Sequence, residues 1–71
     1  MVAKDLHDRQ IVSAPEWNDG HPVRIQDAHE TAGHLMVVRW SDARGRGGVH
    51  ADEIPVGMQF TLISGGYGRT A

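Results

Sequence analysis

Histidine and carboxylate side chains are the residues of this sequence with the clearest metal-binding chemistry. The best local group is His50 with Asp52 and Glu53, and His29 and His34 flank a turn. Zinc needs three or four ligands that converge at about 2.0–2.2 Å. On an extended strand His50 and Asp52 share a face and Glu53 points away, so this group supplies two ligands at most. The sequence therefore predicts no metal site, and solvated side chains at strand ends.

Nucleophilic catalysis has no recognisable signature either. There is no cysteine, and no serine or threonine lies in a nucleophile-elbow sequence. The available hydroxyls are those of Ser13, Thr31, Ser41, Thr61, Ser64 and Thr70. The neighbouring carboxylates Asp52 and Glu53 diverge if the chain is extended, and no glycine-rich nucleotide-binding spacing is present. We expect a protein that is not an enzyme and that uses no cofactor.

The Gly/Arg-rich segment 43–48 is the sharpest candidate for recognition of phosphate groups. Arginines can bind phosphates through two hydrogen bonds, and glycines allow close approach of the backbone. The segment 65–69 repeats this composition around a tyrosine, as in RGG-like sequences. A nucleic-acid-binding surface would use Arg24, Arg39, Arg44, Arg46 and Arg69. The alternative is a hairpin loop whose arginines only keep the protein in solution.

Aromatic residues provide a second candidate surface. With so few of them, Trp40 and Phe60 are expected in the core, which leaves Trp17 as the aromatic expected to be exposed. Beside the acidic Glu16 and Asp19, an exposed tryptophan would suit a partner with basic residues. The alternative is that Trp17 folds back over a small core. The predicted partner-binding residues are Trp17, Asp19, Arg44 and Arg46.

Short segments of alternating or β-branched residues, separated by Gly, Pro and Asn-Asp turns, predict an all-β domain. Met58, Phe60 and Leu62 are expected to point inward from the last strand, and a 3₁₀-like turn over Asp52 to Pro55 is expected before it. The predicted strands are Gln10 to Ser13, His21 to Asp27, Leu35 to Trp40, Val49 to Ala51 and Met58 to Ile63. The predicted organisation is a lead-in segment over 1–9, a barrel over 10–63 and a tail over 64–71.

The strand Val38 to Asp42 (VRWSD), the Gly-rich turn after it, and Val49 to Asp52 followed by Ile54-Pro55 resemble small bacterial SH3-like or Tudor-like domains. The resemblance covers about residues 35–63, and Ala43 stands where such turns often have glycine. The five short, tightly connected strands predict a small antiparallel SH3-like barrel, partly open, and the resemblance implies a binding role without catalysis.

Chain length and net charge limit the number of domains and the possible functions. Seventy-one residues form one domain at most, and the net charge of −2 disfavours binding to nucleic acid through the overall field. The start of the chain lacks an apolar signal core and no run could span a membrane, so a cytoplasmic location is expected. The Ala-, Gly- and Arg-rich composition suggests an actinobacterium or its phage as the source. The main hypothesis is an accessory factor that binds a protein partner.

The sequence also offers two routes by which the domain could associate. Leu35 and Val37 share the face of their strand that Trp40 does not occupy, and they would offer an apolar patch to a partner or a second copy if nothing covers them. Edge strands of an open barrel are a second route to self-assembly. The sequence leaves the choice between monomer and homo-oligomer open.

Overall fold

Three long strands joined as an antiparallel meander dominate the computed structural model, which describes residues 1–65. The five strands are β1 (Ile11–Ser13), β2 (Val23–Thr31), β3 (Leu35–Asp42), β4 (His50–Pro55) and β5 (Thr61–Ser64). They form one sheet in the order β4-β3-β2-β1-β5, and every pairing is antiparallel. The predicted class, an all-β chain with five antiparallel strands in a partly open barrel, is confirmed.

β3 is an interior strand of the sheet, and its side chains alternate between the two faces. Met36, Val38 and Trp40 are buried, and Leu35 and Val37 on the opposite face are only half-buried. β2 pairs along one side of β3 and β4 along the other. The Ala32–His34 turn between β2 and β3 has Gly33 at φ 79°, a left-handed conformation that glycine adopts without steric cost. The prediction that Leu35 and Val37 lie on the face opposite Trp40 is confirmed.

The N-terminal residues, predicted as a lead-in segment, run along the chain between β4 and β5. The amide of Ala3 donates to the carbonyl of Met58 (2.8 Å), and that of Lys4 donates to the carbonyl of Val56 (3.0 Å). Ala3 and Leu6 are both buried. This segment therefore contributes backbone pairing and side chains to the core.

Twelve buried hydrophobic residues from all parts of the described chain form one core cluster. They are Ala3, Leu6, Val12, Ala14, Trp17, Val23, Ile25, Met36, Val38, Trp40, Ile54 and Phe60. Within residues 1–65, Gln10 and Asp42 are the buried polar residues. A domain of this size buries a smaller share of its surface than a larger domain does, so each large side chain in the cluster carries much of the stability.

Two local predictions are wrong. Asp52 to Pro55 form the second half of β4, because their register with β3 continues to the pair Leu35 and Pro55; the 3₁₀ turns lie at Ala3–Asp5 and Asn18–Gly20. Leu62 is 44% exposed and lies on β5, an edge strand of the sheet formed by the described residues. Phe60 is buried as predicted, and Met58 packs partly buried against the core.

Candidate functional site

Trp17 lies at the centre of an aromatic cluster. Its ring stacks on that of Trp40 (centroids 5.2 Å apart, 22° between planes) and meets the edge of Phe60 at 5.0 Å. The ring of His50 stacks on Trp40, with the two centroids 4.5 Å apart. Trp17 is only 7% exposed. The expectation of an exposed Trp17 is therefore wrong, and the alternative that it covers a small core describes its position.

The buried indole nevertheless forms part of a surface groove. The groove has a volume of about 730 Å³ and lies between the β1–β2 loop and the edge strand β4. Its lining includes Glu16, Trp17 and Asn18 from the loop, Trp40 from β3, Asp52, Ile54 and Pro55 from β4, and Gly57 and Met58 after it. Ligand-binding clefts typically have this volume and a mostly apolar lining with a few polar groups.

Among the described residues, the charged groups of the groove lining are two carboxylates, with no lysine or arginine. Glu16 is exposed on the loop side. On the β4 side, Asp52 Oδ2 accepts a 2.7 Å hydrogen bond from the indole nitrogen Nε1 of Trp40. That bond fixes both side chains, so the groove presents a rigid apolar surface with negative charge on both sides.

Asp42 joins the two loops that the sequence singled out. The backbone amide and Nε of Arg44 donate to its Oδ1 (2.7 and 3.0 Å), and Nη2 of Arg44 and Nδ2 of Asn18 donate to its Oδ2 (2.6 and 3.2 Å). These hydrogen bonds, those from Arg44 above all, hold the pKa of Asp42 well below its usual range. The same pairing raises the pKa of the Arg44 guanidinium.

The pairing decides what Arg44 can do. The predicted binding residue Arg44 uses two of its guanidinium nitrogens on Asp42, because a buried carboxylate at the end of β3 requires a cationic partner. Arg46 is exposed and makes no hydrogen bond or ion pair among the described residues. Asp19, also exposed, has a left-handed φ of 55° in the turn after Trp17. Of the four predicted partner-binding residues, Trp17 alone lines the groove.

The arginines of the nucleic-acid hypothesis divide between different environments. Arg24 and Arg39 are exposed and share the outer face of the sheet, where Arg39 pairs in register with Asp27. Arg44 does not join Arg24 and Arg39 as a free cation, because its guanidinium is bound to Asp42. Arg69 and Tyr67 lie outside the described residues.

Residues 1–65 contain no group of three or more His, Cys, Asp or Glu side chains arranged to hold a metal ion. His29 Nδ1 lies 3.4 Å from Asp27, both exposed. No helix in these residues has the length and apolar character needed to cross a membrane.

Comparisons with known proteins found no matching family model, no matching curated protein and no matching solved structure. Sequence reasoning missed the roles of Asn18, Ile54, Pro55 and Met58. The alternation of His50, Asp52 and Ile54 along one face was the available signal for a longer β4.

Proposed function

We propose that this domain is a non-enzymatic protein-interaction module, and that its groove receives a segment of a partner protein that carries basic residues. The observation that supports this most directly is the combination in one groove of an apolar lining around Trp17 and Trp40 with the carboxylates of Glu16 and Asp52. Apolar surface supplies binding energy, and opposite charges at its border set the specificity and the association rate.

The rigidity of the groove strengthens the proposal. Trp17 is fixed by Trp40 and Phe60, and Trp40 is fixed by Asp52. A preformed surface loses little conformational entropy on binding, so more of the contact energy is retained as affinity.

Affinity capture from a lysate of the source organism, with and without nuclease, tests this function. We expect the domain to retain a protein partner after nuclease treatment, and the variant Glu16→Lys to lose it. Asp8→Lys is the matched control, because Asp8 lies outside the groove with a 67% exposed side chain and undergoes the same change of charge. Equal capture by both variants, or capture that disappears with nuclease, would contradict a role for the groove.

A further inference from the structure

β4 is an edge strand with a free side. It is the last strand in the sheet order and pairs only with β3 among the described residues. Ala51 and Glu53 are exposed, and Val49 just before the strand is 53% exposed. The N-terminal segment pairs with the chain from Val56 onward and so begins only where β4 ends. The unpaired groups of such an edge form a template for another strand.

The register identifies which backbone groups face outward. Val56 donates its amide to the carbonyl of His34 (3.1 Å), one step beyond the pair of Leu35 and Pro55. Because hydrogen-bonded and non-bonded pairs alternate in an antiparallel ladder, Asp52 and Ile54 direct their amides and carbonyls to β3. Ala51 and Glu53 then direct theirs to the free edge. Pro55 occupies the other outward position, where a missing amide leaves the ladder to β3 intact.

The charges on β4 select the occupant of this edge. Asp52 and Glu53 lie on opposite faces of the strand, and Asp52 lines the groove together with Glu16. A second copy paired through its own β4 would bring four carboxylates together, which is unfavourable. An added strand of another protein that carries lysine or arginine on its outer face would instead place positive charge beside Glu53. Charge complementarity therefore favours a partner protein over a second copy.

We propose that β4 accepts an extended basic segment of a partner protein as a sixth strand of the sheet. The inference rests on the proposed function and states how the groove is used. Successive side chains of the added strand point to opposite faces. Those on the inner face cover the apolar groove beside Trp17 and Ile54, and those on the outer face bring lysine or arginine next to Glu53. Strand addition obtains affinity from backbone hydrogen bonds and specificity from alternate side chains.

A synthetic nonapeptide that alternates valine and lysine is the probe, and amide hydrogen exchange of the ¹⁵N-labelled domain is the measurement. We expect the exchange of the Ala51 and Glu53 amides to slow by at least about tenfold on binding, as new hydrogen bonds form. The amide of Ile63, on the opposite edge strand, should not change. The same peptide with N-methyl groups on alternate amides should bind at least about tenfold more weakly, because these groups block the ladder.

The outcomes separate this inference from the proposed function. Equal affinity of the methylated and unmodified peptides, both lost in Glu16→Lys, would overturn strand addition and leave a partner in the groove. Absence of binding, or protection at Ile63 instead of at Ala51 and Glu53, would also overturn it. Slowed exchange at Ala51 and Glu53 together with loss of affinity in Glu53→Lys would support it. The lysate capture with Glu16→Lys decides the proposed function independently.

Discussion

Replacing Trp17 by alanine should destabilise the domain strongly, because the indole is 7% exposed and contacts two other aromatic rings. A tryptophan of this kind buries about 150–250 Å², which at about 25 cal/mol per Å² corresponds to about 4–6 kcal/mol. Measured losses for large aromatic residues replaced by alanine are about 3–5 kcal/mol. At about 0.05–0.15 kcal/mol per residue, the total stability of a 71-residue chain is about 4–11 kcal/mol.

Thermal and urea denaturation followed by far-ultraviolet circular dichroism measures this loss. A loss of 3 kcal/mol should lower the Tm by more than about 10 °C, since each kcal/mol shifts it by about 4–8 °C in a domain of this size. Trp17→Phe keeps a ring against Trp40 and should lose less. The neighbouring variant Glu16→Ala is exposed and should stay within about 0.5 kcal/mol of the wild type. A Tm for Trp17→Ala within about 2 °C of the wild type would refute the core assignment.

Three further changes have defined outcomes in the same denaturation assay. The pKa of Asp42 is lower in the folded chain than in the unfolded one, so its stabilising contribution is complete above its unfolded pKa of about 3.9 and is lost as the pH falls below it. Asp42→Asn should therefore flatten the fall of the urea midpoint below about pH 4, and an unchanged slope would contradict this. Arg44→Ala should lower the Tm and Arg46→Ala should not, because Arg44 alone of the two is bound to the buried carboxylate; equal effects would contradict the pairing. Gly65→Ala should cost at least about 1–2 kcal/mol, because its φ is 78° and a Cβ would lie 2.5 Å from a backbone oxygen. Gly57→Ala is its control, since in the described part of the chain no atom beyond Gly57 and its two neighbours lies within 4 Å of a Cβ there.

The strands could be predicted where a local pattern records which face is buried. Met36, Val38 and Trp40 alternate with less buried neighbours, and that period is visible in the sequence itself. β4 was predicted too short, because Pro55 favours the end of a strand. Pro55 is tolerated in β4 because β4 is an edge strand, and the position of the missing amide faces away from β3.

The site could not be predicted to the same extent, because loops define it. The position of Trp17 depends on Trp40, which is 23 residues away in the sequence, and that of Arg44 depends on Asp42, which is 2 residues away. Trp40 and Asp42 lie on β3, whereas Trp17 and Arg44 lie in loops. A loop tryptophan beside acidic residues has the same local sequence whether it covers the core or faces solvent. The burial of Asp42 at the end of β3 likewise has no periodic signature, although it decides the role of Arg44.

The aromatic residues of the groove also stabilise the fold, and this determines which variants can inform on function. Removing Trp17 or Trp40 would disturb folding and binding together, since both belong to the core cluster. Glu16 is outside that cluster and exposed, so reversing its charge changes the potential of the groove and leaves the packing intact. If partner recognition depends on charge, Glu16→Lys should abolish capture with the Tm nearly unchanged, and its capture should not recover when salt is lowered, because the attraction has become repulsion. Recovery at low salt would show that a net electrostatic attraction between the variant and the partner remains, and that Glu16 does not decide recognition.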